Sequence, residues 1–418
     1  MATPAITSGA LPFQNKDSEI TCINQLLYVF FGRIITTLRQ KLFMSEPRIA
    51  FLIHGLVVGG AEKFFISLVN HFHRSGHNPL VILLSDDNAL FPEMDPGVNT
   101  VIIKRKYKYD LTVGRKIKAV LNEHKIDTVF CVGIFSFFLL KLYFLFNKKI
   151  KFFLSLHSTI PATRKEHLLN FIYFRSISRR DEVIFICNAQ KEYLRKKYFL
   201  HPASSSVIYN GINTSYFSLS KNGTENKYRL REQLNISGND KVITTVARMF
   251  PEKGHRYGID ALGILHKEYN CRAHLVFVGS GDDEYENQMR RYAEKSNAAG
   301  YIHFIPHQKD VRPYHYISDV FTLTSYTIET FSLAALEAMS SGIPCSLTNI
   351  GGAAEMIFEH NGLLSTSKDP SSIAKTWFEL LHKKFDPQVL HEYVETNYSL
   401  DQMICNYKKT ILPQAVNN

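Results

Sequence analysis

Arg248 and Lys253 lie on one short loop, in the segment ARMFPEKG between a predicted strand and a predicted helix. On such a loop, two cationic side chains and the amides of the helix N-terminus can converge on phosphate oxygens. An ordinary basic surface loop would contain the same residue types, so the position in the fold separates the two interpretations. We predict that this loop binds a diphosphate.

Two carboxylates, Glu329 and Glu337, occur in the segment ETFSLAALEAMSSGIPC. Their spacing alone carries little information, because Glu286 and Glu294 have the same spacing. The latter pair lies in a polar helical stretch, whereas Glu337 lies in an apolar run, where an unpaired charge is costly. We therefore predict that Glu337 is paired or binds a ligand, and it could accept hydrogen bonds from a ribose diol.

The residues just after Glu329 form the start of a predicted helix, where backbone amides without partners attract anions. These amides belong to Thr330, Phe331, Ser332 and Leu333. We predict that they face anionic oxygens of the same ligand.

Strands that alternate with helices must position these residues. From Arg48 onward, a buried strand (RIAFLIHGL) is followed by a Gly-rich turn and an amphipathic helix (GGAEKFFISLVNHFHRSG), and the pattern then repeats. After the polar stretch at 219–227, the alternation restarts with KVITTVA. The pattern predicts an α/β protein with two doubly wound, parallel-stranded domains that join near residue 216.

Two such domains that face each other form a cleft, because parallel sheets bind ligands outside the carboxyl ends of their strands. Gly59 and Gly60 follow the first strand, and His157 ends the strand KFFLSLH, as this placement requires. We predict four parts: an N-terminal extension at 1–46 that could carry an interfacial helix, a first domain at 47–215, a second domain at 216–398, and a last helix at about 399–412 that packs back on the first domain.

The composition indicates a large globular protein. Its 418 residues are 45% hydrophobic, 21% charged and 12% aromatic, which excludes a single small binding module and a disordered or coiled-coil chain. A mean hydropathy of −0.12 excludes a polytopic membrane protein. The six cysteines are scattered without a Cys-x-x-Cys motif, so we expect a reducing cytosol and neither a disulfide framework nor a metal site.

The excess positive charge is confined to the first half of the chain. Residues 1–215 contain 28 Lys and Arg against 15 Asp and Glu, a net charge of +13, whereas residues 216–418 have a net charge of −2. This asymmetry predicts an anionic partner for the first half, either nucleic acid or acidic lipid. Aromatic residues lie beside the basic ones, and no nucleic-acid-binding module occurs. We therefore expect an anionic membrane surface as a partner and no nucleic acid.

One apolar run, residues 130–146, contains Lys141 and is shorter than the roughly 20 residues that a spanning helix needs. It predicts a buried core helix or an interfacial helix, and both can hold on different faces. We expect the protein in the cytoplasm, attached peripherally to the inner face of the cytoplasmic membrane.

The ordered motifs resemble family 4 of the retaining glycosyltransferases, which have the GT-B fold of two Rossmann-like domains. The likeness extends from about Arg48 to Leu412. Its motifs are GGAEK at 59–63, the strand-end His157, YNGIN at 209–213, ARMFPEKG at 247–254, VGSGDD at 278–283, Glu-x7-Glu at 329–337 followed by AMSSGIP, and GGAAEMI at 351–357.

The resemblance implies a role for each residue of the second domain singled out above. Arg248 and Lys253 would hold the diphosphate of a nucleotide-sugar donor, and Glu337 would bind its ribose. Glu329 would bind the sugar that is transferred.

In the first domain, the resemblance implies that the turn Gly59–Gly60 lies at the donor, with Gly60 close to its phosphate. His157 would lie beside the reacting sugar. One residue departs from the family pattern, because the usual glycine of the E-x-F-G-L stretch is Ser332 here. We assign catalytic roles to His157 and Glu329, and donor binding to the other residues.

The chain contains no Asp-x-Asp motif, so we expect no metal, and the cations and helix amides would neutralise the leaving diphosphate. A carboxylate double displacement is one route to retention, but the motifs offer no good nucleophile. We favour same-face attack with the leaving phosphate as the base. The expected enzyme is a retaining hexosyltransferase without a cofactor, whose lipid-linked saccharide acceptor belongs to lipopolysaccharide, capsule or another surface polysaccharide.

Three alternatives were weighed against this interpretation. A nicotinamide oxidoreductase is disfavoured, because HGLVVGGAE and VGSGDDE lack a complete Gly-x-Gly-x-x-Gly. A nucleotide-sugar epimerase of the same fold would use the diphosphate loop but no acceptor. A non-catalytic, membrane-associated saccharide-binding protein would need the positive half but not Arg248, Lys253 or Glu337.

Overall fold

The computed structural model describes most of the chain from residue 47 onward. The described residues are 47–107, 110–144, 149–157, 164–219, 223–327 and 329–412. The described residues from Arg48 onward form one compact unit. The N-terminal extension at 1–46 and the helix that it could carry lie outside the described residues.

The first domain is built on a parallel sheet, which has seven strands in the described part of the chain, in the order β3-β2-β1-β4-β5-β6-β7. The central strands are runs of Ile, Val, Leu and Phe, because both faces of such a sheet are covered. The strands are β1 (Ile49–Ile53), β2 (Leu80–Leu83), β3 (Asn99–Ile102), β4 (Thr128–Val132), β5 (Lys151–Leu156), β6 (Glu182–Phe185) and β7 (Ser204–Val207). The helices are α1 (Gly60–Arg74), α2 (Val113–Glu123), α3 (Ile134–Phe144), α4 (Arg164–Phe174) and α5 (Asn188–Tyr198).

The second domain has a parallel sheet of six described strands, in the order β10-β9-β8-β11-β12-β13. The strands are β8 (Lys241–Val246), β9 (Ala273–Val278), β10 (Ile302–Ile305), β11 (Val320–Leu323), β12 (Cys345–Thr348) and β13 (Gly362–Ser365). The helices are α6 (Gly223–Gln233), α7 (His255–Glu268), α8 (Asp283–Glu294), α9 (Arg312–Ile317), α10 (Leu333–Ser340), α11 (Ala353–Met356), α12 (Pro370–His382) and α13 (Pro387–Tyr398).

The last described helix, α14 (Leu400–Ile411), returns to the first domain. Its buried residue Tyr407 packs in the same apolar cluster as Phe64 and Phe130, and the ring centres of Tyr407 and Phe64 are 4.9 Å apart. The chain therefore passes between the domains twice. The two passages pair with each other, since Ile212 N–H donates to the Tyr398 carbonyl at 3.0 Å and Leu400 N–H donates to the Ile212 carbonyl at 2.7 Å.

The described part of the apolar run, residues 130–144, forms the end of β4 and the helix α3, and α3 is a core helix. Phe137 and Leu140 are fully buried. Lys141 is also buried, and its ammonium pairs with the Asp181 carboxylate at 2.9 Å, which explains how a cation is tolerated there. In the part of the chain that the structure describes, no helix is long and apolar enough to cross a membrane.

The α/β fold with two doubly wound parallel domains is confirmed. Two strands, β3 and β13, were not predicted, and each lies at an edge of its sheet. The residues of β3 are partly or fully exposed, so its sequence lacks the continuous apolar pattern of the central strands.

Candidate active site

The cationic loop follows β8 at the carboxyl edge of the second sheet. The side chain of Arg248 is exposed, and its guanidinium lies 4.9 Å from the centre of the Phe250 ring. Lys253 ends a short 3-10 turn that leads directly into α7. The loop therefore places both cations at the edge where parallel sheets bind ligands, as the sequence predicted.

Lys253 is paired with Glu329, which lies between β11 and α10. Its ammonium lies 2.7 Å from Oε2 of Glu329, and the Ser325 hydroxyl donates to the same oxygen at 3.1 Å. Both side chains of the pair are mostly buried, with exposed fractions of 18% and 15%. The sequence assigned the two residues to different parts of one ligand, and the structure brings them into direct contact.

Glu337 lies on the second turn of α10. Burial raises the pKa of its carboxyl group to about 7, and the charge of Lys63 opposes this shift. Among the described residues, no hydrogen bond or ion pair to this carboxylate is formed. The side chain is still partly exposed. It is therefore a carboxylate in largely apolar surroundings that retains free acceptor capacity.

The N-terminus of α10 is well formed despite the serine that replaces the family glycine. Ser332 is its N-cap residue, and its hydroxyl accepts a hydrogen bond from the Ala335 N–H at 3.2 Å. Thr330 and Phe331 are buried just before this cap. The departure from the family pattern thus substitutes one favourable N-cap residue for another.

The glycine turn of the first domain approaches this helix closely. A Cβ atom on Gly60 would lie 3.4 Å from Cδ1 of Leu333. In the same turn, Gly59 is the N-cap residue of α1. Gly59, Gly60 and the start of α10 thus lie together, which places the two domains on either side of the predicted donor site.

Glu62 is a residue of this site that the sequence analysis did not single out. Burial raises the pKa of its carboxyl group, and the charge of Arg248 in the second domain counteracts the shift. An acidic side chain of the first domain therefore lies within electrostatic range of the predicted diphosphate-binding cation. Its only sequence signal is its position in GGAEK.

His157 lies at the end of β5, on the first-domain side. Its imidazole packs on Phe64 with ring centres 4.3 Å apart, and Nε2 lies 3.0 Å from the Ser155 hydroxyl. The same hydroxyl lies 3.2 Å from the hydroxyl of Tyr407 on α14. Burial lowers the pKa of His157 to about 3, so the ring is neutral near pH 7.

The second glutamate pair lies on a predominantly polar helix. Glu286 and Glu294 lie on α8, where Glu286 forms an ion pair with Arg290 at 2.7 Å and Glu294 is exposed. Equal spacing therefore gives two different environments.

Among the described residues, no group of three or more His, Cys, Asp or Glu side chains is arranged to hold a metal ion.

Two family models match the chain, one for each domain. The model described as Glycosyltransferase Family 4 matches residues 58–216, and the model described as Glycosyl transferases group 1 matches residues 226–397. Together they include the residues of both faces of the site except those beyond residue 397.

Individual relatives agree with these models. The chain is 25% identical over 336 residues to an uncharacterized glycosyltransferase of Haemophilus influenzae, which covers 78% of this chain and 88% of that protein. Over 171 residues it is 32% identical to the UDP-Gal:alpha-D-GlcNAc-diphosphoundecaprenol alpha-1,3-galactosyltransferase of Escherichia coli, covering 41% of this chain and 43% of the relative. The crystal structure of Anabaena HepE in complex with UDP matches with a TM-score of 0.74 at 19% identity, covering 87% of this chain and 99% of that one.

The two parallel-sheet domains have the GT-B fold. With the family models on both halves, the chain belongs to glycosyltransferase family 4, within the group 1 glycosyltransferases. The family resemblance seen in the sequence is therefore confirmed.

Proposed function

We propose that the protein transfers a hexose-type sugar, with retention of configuration and without a metal, from a nucleotide diphosphate sugar to a saccharide acceptor. The observation that supports this most is the direct contact of Lys253, on the same loop as Arg248, with Glu329, which precedes the N-terminus of α10 at one edge of the second sheet. Cations and helix amides together suit a diphosphate. A partly exposed carboxylate with free acceptor capacity suits the hydroxyls of a ribose.

In this proposal the Lys253–Glu329 pair opens or is shared when the donor binds. The diphosphate would take Lys253 and Arg248, and the released Glu329 carboxylate could accept hydrogen bonds from the transferred sugar. The phosphate would also compete with the Glu62 carboxylate for the charge of Arg248. The donor would thus replace the direct contact between Lys253 and Glu329.

The chemical step breaks the bond between the anomeric carbon and the diphosphate oxygen and forms a bond from that carbon to an acceptor hydroxyl oxygen. We propose that attack occurs on the same face, so that the acceptor proton passes to an oxygen of the leaving diphosphate. Negative charge grows on the diphosphate as the bond breaks, and Arg248 and Lys253 stabilise it most at that point. His157 is neutral and could orient the reacting sugar through a hydrogen bond.

We further propose a lipid-linked acceptor from the synthesis of lipopolysaccharide, capsule or another surface polysaccharide. The Escherichia coli relative is named for an acceptor linked to diphosphoundecaprenol, which motivates this choice. The helix α4 adds support, since its apolar residues Leu168 and Ile172 are exposed beside the exposed cations Arg164 and Lys165. Such a face suits peripheral attachment to an anionic membrane, which we place at the inner face of the cytoplasmic membrane.

Incubation with a panel of radiolabelled nucleotide sugars and a membrane extract tests the proposal. We expect transfer of label from one donor to a product that extracts into organic solvent, and no transfer when the extract is omitted. Label that stays water-soluble as an isomerised nucleotide sugar would instead identify an epimerase. Absence of any chemical change with all donors would favour a non-catalytic saccharide-binding protein.

A further inference from the structure

Glu355, in the segment GGAAEMI, has no part in the reaction described above. It lies on α11 of the second domain, but its carboxylate contacts the first domain at the N-terminus of α5. Oε2 accepts hydrogen bonds from the Asn188 N–H at 2.8 Å, from Asn188 Nδ2 at 2.9 Å and from the Tyr209 hydroxyl at 2.8 Å. Oε1 accepts a hydrogen bond from the Ala189 N–H at 2.6 Å.

These contacts complete the cap of α5. The first backbone N–H groups of a helix have no partner within the helix. The N-cap residue Cys187 accepts only from the Gln190 N–H through its sulfur, at 3.3 Å. Glu355 takes the two preceding amides, those of Asn188 and Ala189, and its negative charge is favourable at the positive end of the helix. A helix of one domain is thus capped by a carboxylate of the other.

On the first-domain side, the capped turn is tied to the strand end that carries His157. Gln190, in the first turn of α5, donates from Nε2 to the Leu156 carbonyl at 2.9 Å. Leu156 directly precedes His157. A shift of the α5 N-terminus would therefore be transmitted to the backbone next to His157.

On the second-domain side, the segment that carries Glu355 packs against the backbone of Glu329 and Thr330. Gly352 N–H donates to the Thr330 carbonyl at 2.9 Å, and the Cys187 thiol donates to the same carbonyl at 3.2 Å. Gly351 has a φ of +55°, and a Cβ atom there would collide with the Glu329 carbonyl oxygen. The backbone of Glu329 and Thr330 is therefore packed directly against this segment.

We propose that Glu355 is a positioning residue for sugar transfer: its cap on α5 holds Glu329 of the second domain in register with His157 of the first. This rests on the proposed function, in which His157 and Glu329 act on the same sugar. Small errors in the alignment of reacting groups reduce turnover much more than they reduce binding. Loss of the cap should therefore lower kcat and leave donor KM nearly unchanged.

The test compares Glu355→Ala and Glu355→Gln with the control Glu359→Ala in the full-length protein. Glu359 lies just beyond α11 and has an exposed side-chain fraction of 82%. Without ligand, we expect hydrogen–deuterium exchange in peptides that cover residues 186–191 to be faster in Glu355→Ala. With the donor found in the panel assay, we expect kcat to fall at least about tenfold and donor KM to change by less than about threefold.

Glu355→Gln keeps one acceptor oxygen, so we expect an intermediate kcat, and Glu359→Ala should match the wild type in every measurement. The Gln variant also gives a result if the Ala variant does not fold. A wild-type kcat in Glu355→Ala would overturn the positioning role, as would an equal loss in kcat and donor affinity. A wild-type protein that transfers no sugar would instead contradict the proposed function, and the same assay reveals it.

Discussion

The two faces of the cleft differ in their electrostatics. The second domain presents two cations and two carboxylates, among which Lys253 and Glu329 are already paired. The first domain presents His157, whose ring is neutral and packs on Phe64. A leaving diphosphate gains negative charge during the reaction, whereas an acceptor hydroxyl attacks without prior ionisation. In the proposed reaction, the second domain would stabilise the charge that develops on the leaving diphosphate, and the first would mainly hold and orient the reactants.

The start of α1 is the exception on the first-domain side. Its first turn carries Glu62, on which the charge of Arg248 acts, and Lys63, whose charge acts on Glu337. These charges connect the first face to the second across the cleft. The proposed donor site is therefore completed by both domains, although most of its charge belongs to the second.

The strongest test of this comparison removes Arg248 or Lys253, the cations on the second-domain side of the cleft. Because Arg248 and Lys253 act most on charge that develops in the transition state, we expect Arg248→Ala or Lys253→Ala to lower turnover at least about a hundredfold, roughly 2.7 kcal/mol. Steady-state kinetics with the donor and acceptor from the panel assay measures the effect. Lys267→Ala, an exposed cation on α7, is the control and should keep wild-type turnover. If both variants of the loop stay within a few-fold of wild type, the assignment of the loop is wrong.

A smaller effect is expected from Glu337, the carboxylate that we propose binds the ribose. Glu337→Gln should raise donor KM about tenfold, because an ionised acceptor contributes about 1.4 kcal/mol more than a neutral one. Gln at Glu286 or Glu294 should be nearly silent, since those side chains lie on a polar helix. Titration of the donor against the three variants checks this. Equal effects in both pairs would show that spacing had been mistaken for function.

The pKa of Glu337 adds a pH dependence with a defined sign. Because burial raises the pKa to about 7, the protonated form is favoured in the folded protein. Its contribution to stability is fully present below about pH 4.5, the ordinary value, and is lost as pH rises through about 7. We therefore expect Glu337→Gln to match the wild type in thermal stability at low pH and to exceed it above pH 7. Donor affinity of the wild type should rise over the same interval.

Local sequence patterns were sufficient for much of the fold and of the second face. Strand-end positions and helix starts were visible in the order of apolar runs, so the loop at 247–254 and the start of α10 were located correctly. The contacts between distant segments were not predictable. The charge of Arg248 acts on Glu62, and Glu355 caps α5 from 167 residues away, only because the two domains approach each other in three dimensions. Short edge strands such as β3 lack the apolar pattern that identifies central strands.

The charge difference between the halves of the chain leads to a still smaller expected effect. Vesicles that contain phosphatidylglycerol should bind the protein, and neutral vesicles should bind it much less, since each cation near the surface contributes about 1 kcal/mol. Binding should weaken at high salt. Leu168→Ser on α4 should weaken it about fivefold, because about 1 kcal/mol of apolar burial is lost. Co-sedimentation measures these changes.

Tyr228 on α6 is the matched control for this helix face, since it is 68% exposed in the second domain and Tyr228→Ser should leave vesicle binding unchanged. Deletion of residues 1–43 separates any contribution of the N-terminal extension. Failure of the intact protein to bind acidic vesicles even at low salt would contradict the membrane part of the proposal and favour a soluble acceptor.

The last prediction is that removal of divalent metal ions leaves turnover unchanged. If Arg248, Lys253 and the amides at the start of α10 neutralise the leaving diphosphate, a divalent metal has no remaining charge to offset, and the chain has no Asp-x-Asp motif to bind one beside the diphosphate. Turnover should then be the same before and after treatment with EDTA. Loss of turnover that magnesium or manganese restores would show that the cations of the second face are insufficient. The charge on the leaving group would then be shared with a metal, and the hundredfold effect expected for Arg248→Ala and Lys253→Ala would have to be smaller.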